Sequence, residues 1–314
     1  MSGEQATSGK EASNRLASTH EGPTHPAPTQ ADPADTGPTH AAPAPVKIYT
    51  ASSSATAPAD CKGHVLISGS YGGEYNAYHA GKWGLRGVVL NDAGVGKSGA
   101  GIRGLPYLDR VGLPAATADA RTCHIGDAEH MLAFGKISYV NQAALRLGCH
   151  AGDSVKSCAD RMRTAPVIDA PMPTVAGGRR YIISKATPPV ICLDAAPRLE
   201  PTDAGSIVIT GSHAALFRGK PDDVIKPAVR AIFFSDAGVG LDNAGIARLP
   251  TLDERGIAAA TASADSAEIG NSRSIYRDGV LSYVNETAAT LGAKPGMSIS
   301  DFVAMLVTHW SVTT

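Results

Sequence analysis

The stretch Asp92-Ala93-Gly94-Val95-Gly96 occurs a second time as Asp236-Ala237-Gly238-Val239-Gly240, and its surroundings recur with it. Residues 91–148 align without a gap onto 235–292 at a constant offset of 144, with roughly half of the positions identical. Ala100-Gly101-Ile102 returns as Ala244-Gly245-Ile246, and Ser138-Tyr139-Val140-Asn141 returns as Ser282-Tyr283-Val284-Asn285. Upstream, after a slip of two residues, 64–70 corresponds to 206–212. A chain of 314 residues has room for two hydrophobic cores, so the pattern reads as a tandem duplication of one folding unit.

The copies span about 46–160 and 188–306. Between them, 161–187 is rich in Pro and Gly and reads as a linker that partly packs, with Tyr181-Ile182-Ile183 as a candidate short strand. Residues 1–45 consist mainly of Ala, Pro, Thr, Ser, His and Gly, with Leu16 as the one branched aliphatic residue. Such a segment buries too little apolar surface to offset ordering entropy, and the expectation is a disordered tail in which His20, His25 and His40 are solvated. Residues 307–314 read as a C-terminal tail.

Within each copy, short apolar, β-rich runs are separated by glycine-rich loops and helical stretches. In the second copy the runs are 190–193, 206–210, 231–234 and 257–261; they lack polar alternation, as strands buried on both faces do. Val280, Leu281, Val284, Ala288 and Leu291 form a helical stripe, with Gly292 placed to end that helix, and 137–147 is its twin. A last helix is expected from Ser298 or Ser300, either of which can cap it. The expected fold is α/β: in each unit an open, mainly parallel, doubly wound sheet of Rossmann or flavodoxin type.

Charge and composition narrow the partners. A net charge of −1 gives no field for gathering phosphate backbones, which argues against nucleic acid. No apolar run is long enough to span a bilayer and no signal-peptide core is present, so the expected address is the cytoplasm, with no membrane partner. Five cysteines, with no pair at zinc-ligand spacing, read as packed thiols; no metal site and no particular cofactor is indicated. A small-molecule ligand is the expected partner. Because tandem copies often pack about a two-fold axis, homo-oligomerisation is also compatible with the pattern.

In open α/β sheets ligands bind beyond the carboxyl ends of the strands. The polar residues there in the second copy are Asp194, Ser212, His213, Ser235, Asp236, Ser263 and Ser266. Asp236, with Gly238 and Gly240, and Asp92, with Gly94 and Gly96, each provide a fixed carboxylate beside backbone that a ligand can approach closely; capping of the following turn is the structural alternative. His213 could exchange a proton near neutral pH, with Ser212 beside it as a candidate nucleophile. The first copy has Ser70-Tyr71 where the second has Ser212-His213, so a histidine-dependent site would belong to the second copy alone.

Two partial resemblances bear on function. Residues Gly96-Lys97-Ser98 after a strand resemble the end of a P-loop, and the segment is also similar to the variant P-loop of ParA/MinD-like ATPases. It departs from the first at Asn91, where glycine is needed, and from the second at Asp92, where lysine stands; the twin Gly240-Leu241-Asp242 has neither lysine nor hydroxyl. Ser212-His213 followed by Ser235-Asp236-Ala237-Gly238 resembles the layout of caspase-like cysteine peptidases, but Gly238 stands where the nucleophilic cysteine belongs. The leading functional expectation is a small-molecule hydrolase or lyase, with His213, Asp236 and Ser212 as its catalytic centre and Asp92, Gly94, Gly96, Ser70, Gly238, Gly240, Asp194 and Ser266 as binding residues. The alternatives are a noncatalytic metabolite-binding or assembly protein built as an internal pseudo-dimer, and a nucleotide-dependent switch.

Overall fold

The computed structural model describes residues 45–220 and 225–312. The first repeat forms a five-stranded sheet in the order β1-β2-β3-β4-β5: Ile48–Ala51 (β1), Val65–Tyr71 (β2), Gly87–Asn91 (β3), Ala115–Ala118 (β4) and Ile137–Val140 (β5). Strands β1 to β4 are parallel and β5 closes the edge antiparallel to β4. The helices of this half are Glu74–Gly81 (α1), Gly104–Asp109 (α2), Ala128–Phe134 (α3), Gln142–Leu145 (α4) and Val155–Met162 (α5).

The second repeat repeats this order and adds one strand, Arg180–Ser184 (β6), antiparallel to Val190–Leu193 (β7). It continues through Ile207–His213 (β8), Ala231–Ser235 (β9), Ala258–Ala262 (β10) and Leu281–Val284 (β11), with helices Arg248–Asp253 (α6), Ser272–Asp278 (α7), Glu286–Thr290 (α8) and Ile299–Val312 (α9). The strand expected at Tyr181-Ile182-Ile183 is therefore β6. The linker packs as well: Ile168 bridges Leu85, and Tyr107 donates to the Pro173 carbonyl at 2.6 Å.

Alternate residues of each strand feed opposite cores, because successive side chains of a strand point to opposite faces. In the first sheet Leu66, Val88 and Leu90 pack with Ala77, Ala80 and Leu108 of α1 and α2, while Val65, Ile67 and Val89 pack with Met131, Cys158 and Met162 of α3 and α5. In the second, Phe233 of β9 meets Phe302 of α9 edge to face at 6.0 Å, and Phe234 points the other way toward Leu249 and Leu252 of α6. Each unit is thus an α/β layer structure with a mostly parallel sheet covered on both faces. Its strand order is sequential.

One expected element is different. Residues 280–291 are not a continuous helix but strand β11 followed by the short helix α8, and 137–147 divides in the same way into β5 and α4. Asn285, in extended backbone at φ −82°, ψ 170°, interrupts the stripe, and its side-chain oxygen accepts the Ala288 N–H to start α8 afresh. The aromatic Tyr283 and β-branched Val284 are better satisfied by pairing with Thr261 and Ala260 of β10. At the C-terminal end, Ser298 caps α9 through Asp301 N, and the helix runs to Val312, beyond the boundary expected at 306. Apart from Pro45, the expected tail 1–45 lies outside the described residues.

Candidate functional site

Both repeats belong to one compact unit, Pro45–Thr314, and they meet through the loops that follow β3 and β9. The contact is reciprocal. Lys97 N donates to the Ala264 carbonyl at 2.8 Å, and its counterpart Leu241 N donates to Ala120 at 2.8 Å. Gly94 and Gly238 press together so closely that a Cβ on either would stand 2.8 Å from the other's Cα. Such an exchange of equivalent contacts defines a local two-fold axis between the two loops.

The backbone pays for this approach in conformation: Ala93, Gly94, Val95 and Gly96 have φ of 48°, 70°, 67° and 66°, and Ala237, Gly238, Val239 and Gly240 have 50°, 71°, 63° and 73°. A β-branched residue in the left-handed region is strained, and Val95 and Val239 hold it in both copies. Small apolar residues fill the junction, Ala93, Ala100, Ala215 and Ala237 with Ile125 and Ile269. Lys97, the residue that gave the P-loop resemblance, reaches across to the other repeat, donating to Ser266 O at 3.0 Å and pairing with Asp278 at 3.2 Å. His124 crosses the other way to Asp242 at 2.9 Å.

Along the axis lies a cleft of about 750 Å³ to which the repeats contribute equivalent residues: Asp92 and Asp236, Ser138 and Ser282, Tyr139 and Tyr283. Gly94 and Gly238 also line it. The two carboxylates are held identically. Asp92 Oδ1 accepts Gly94 N at 2.9 Å and Ala120 N at 3.0 Å; Asp236 Oδ1 accepts Gly238 N and Ala264 N, both at 2.9 Å. Each residue is only 4% exposed, and burial raises both carboxyls above their ordinary range, tempered by those N–H groups and by the Ser138 and Ser282 hydroxyls. One oxygen of each aspartate ties the turn, as the capping alternative expected, and the residue also lines the cleft.

The other expected site residues lie elsewhere. Ser70, Ser212, His213 and Asp194 line a separate cavity of about 260 Å³, together with Tyr71 and His79. His213 ends β8, and its Nδ1 accepts Ala215 N at 3.2 Å. Burial, with the Arg248 guanidinium nearby, holds its pKa down to about 3, so the ring is neutral at physiological pH. Ser212 precedes it on the strand, where neighbouring side chains diverge, and Ser212 Oγ accepts Ala196 N at 2.9 Å. His213 and Asp236 therefore line different cavities.

Asp194 clamps its surroundings: Oδ1 accepts the Ser272 hydroxyl at 2.7 Å and Oδ2 accepts Arg179 N at 3.0 Å. Ser266 donates to Ser263 O at 2.7 Å and accepts Val280 N at 3.0 Å. Gly96 and Gly240 are packed against the backbone of Ala264 and Ala120, at 3.0 Å from a built Cβ, and serve the junction rather than the cleft.

Several polar and aromatic cleft residues were not among the sequence candidates: Asp119, Arg121 and Asp265, and the pairs Ser138 with Ser282 and Tyr139 with Tyr283. The repeated Ser-Tyr-Val-Asn was a signal for the tyrosines, since its asparagines prove structural: Asn285 accepts Ala259 N and Ala288 N at 2.9 Å and donates to Ile257 O at 2.9 Å. Asp119 and Arg121 carried no such signal, because their counterparts are Ser263 and Asp265. All five cysteines are buried and free, and burial pushes Cys123 and Cys192 up to about 12. Among the described residues no group of three or more His, Cys, Asp or Glu side chains is placed to hold a metal, and no helix is long and apolar enough to cross a membrane. In comparisons with protein families, curated proteins and solved structures, nothing matches the chain.

Proposed function

We propose that the chain is a small-molecule-binding protein, an internal pseudo-dimer whose ligand seat is the cleft on the local two-fold axis. One observation carries this reading: two equivalent aspartates, both more than nine-tenths buried, are kept at the wall of one cleft by strained loops that each repeat supplies. Desolvated carboxyls and left-handed valines both oppose folding, and such features concentrate where a site is preorganised. The volume is in the range of pockets that enclose metabolite-sized molecules.

A hydrolase or lyase remains the second reading, with its chemistry moved to Asp92 and Asp236. Carboxyls raised by burial suit general acid–base transfer, and Ser138 and Ser282 stand beside them. The His213–Ser212 arrangement gives this reading no support, and the engagement of Lys97 with Asp278 gives none to a nucleotide switch. Thermal-shift screening of a metabolite library tests the proposal. Ligands that stabilise the wild-type chain should lose their effect on an Asp92→Asn/Asp236→Asn double variant, and turnover of a hit would favour the enzymatic reading. Hits equally effective on that variant would refute the cleft.

A further inference from the structure

Beyond the axial cleft, we infer that the cavity beside His213 is a second binding site, for an uncharged molecule that presents a carbonyl oxygen, an aryl carboxamide in the simplest case. This cavity too is built from equivalent residues of the two repeats, Ser70 with Ser212 and Tyr71 with His213. The serines are held alike: Ser70 Oγ accepts Ser54 N at 3.1 Å and Ser212 Oγ accepts Ala196 N at 2.9 Å, each from the turn that follows the first parallel strand of its repeat. Each hydroxyl keeps its own proton, and among the described residues neither proton meets an acceptor. His213 is the third donor. Its Nδ1 accepts Ala215 N, so the neutral ring carries its proton on Nε2. That N–H also has no acceptor among the described residues, although His213 is only 7% exposed and lines the cavity. Three donors thus stand unclaimed around one small space, and a desolvated donor without a partner is costly.

The rest of the wall selects the ligand. A carbonyl oxygen offers two lone pairs, enough for the pair of equivalent hydroxyls. Asp194 shares the wall; its oxygens accept Arg179 N, Ser272 N and the Ser272 hydroxyl but no cationic side chain, so its charge opposes an anion. A cation would meet the three donors and the Arg198 guanidinium. Asn76 gives its Nδ2 proton to Tyr71 O at 3.0 Å, which leaves its Oδ1 to accept from an amide NH2. Tyr75, Pro197 and Phe217 supply apolar surface for a flat ring. The volume of about 260 Å³ lies at the small end of ligand pockets and suits a single ring with its head group.

The test is ligand-observed saturation-transfer NMR on the full chain with benzamide, benzoate and benzylamine, which set an uncharged, an anionic and a cationic head on one ring. Benzamide is expected to bind, and the charged analogues roughly tenfold more weakly or not at all. Ser70→Ala and Ser212→Ala should each weaken benzamide about two- to tenfold, the loss of one hydrogen bond to an uncharged acceptor. If a serine variant fails to fold, nitrogen NMR of the wild-type imidazoles serves instead: the His213 Nε2 resonance should shift with benzamide and saturate at the same affinity. The Asp92→Asn/Asp236→Asn variant should bind benzamide as the wild type does, so the two sites stand or fall separately; a screening hit counts against the axial cleft only if Ser70→Ala and Ser212→Ala leave it intact. No benzamide binding at 10 mM (roughly the weak end of measurable affinity), benzoate or benzylamine binding as tightly as benzamide, or binding that neither the serine variants nor the His213 resonance registers, overturns the inference.

Discussion

Replacing Gly238 with alanine probes the junction that builds the cleft. Its φ of +71° costs an L-residue about 1–2 kcal/mol. The new Cβ would also lie 2.8 Å from Gly94 Cα and 3.3 Å from Gly94 N, both backbone atoms that no rotamer change can move aside. Forcing the loops apart should cost a further ~1–3 kcal/mol, as overpacking does elsewhere. The total is about 2–5 kcal/mol. Gly256→Ala is the control in the same repeat: its φ is +65° but nothing lies within 4 Å of the built Cβ, so it should show the backbone cost alone. Urea denaturation followed by circular dichroism gives both values, and their difference isolates the inter-repeat contact. Gly94→Ala should match Gly238→Ala, and the double variant should cost less than the sum because both relieve one separation. A Gly238→Ala variant no less stable than Gly256→Ala would refute the reciprocal packing of the loops.

Other outcomes follow from the same structure. Asn285→Ala removes three hydrogen bonds within the core and should lower stability by about 2–4 kcal/mol in urea titrations, with Asn141→Ala behaving alike. The folded pKa of His213 is held down to about 3 from an ordinary imidazole value of about 6.5, so its contribution is complete above the unfolded value and is lost as pH falls from there toward 3. That loss is on the order of a few kcal/mol, and a His213→Gln variant should show a correspondingly flatter profile of denaturation midpoint against pH. Asp92 and Asp236 have the opposite sense: their raised values mean that stability present below the ordinary carboxylate pKa is lost as pH rises through the folded one. The Asp92→Asn/Asp236→Asn variant should therefore melt at or above the wild-type temperature at pH 7, with the gap narrowing toward pH 4. Titration with a thiol reagent should find none of the five cysteines reactive until the chain unfolds.

The duplication and most strands were legible because their signal is local: Val190–Leu193 and Ala231–Ser235 are continuous β-rich apolar runs, and they fold as such. The 280–291 stripe misled because Val280, Leu281, Val284 and Ala288 satisfy a helical period that a strand, a capping asparagine and a short helix satisfy equally. Tyr283, exposed on β11, was the discordant residue. At the site, the sequence pointed to Asp92 and Asp236 through their repetition. It could not bring them to one cleft, because which loops face one another is decided by packing between the repeats, through contacts such as Gly94 on Gly238 and Lys97 on Asp278. His213 drew attention as a histidine at a strand end, and only the fold reveals a buried ring accepting Ala215 N.

A crystal structure of the chain grown with a metabolite that stabilises it but not the Asp92→Asn/Asp236→Asn variant tests the central claim most directly. The account predicts ligand density in the cleft across the local two-fold, against both Asp92 and Asp236. Density confined to the cavity beside His213 and Ser212, with the cleft holding only solvent, would contradict it.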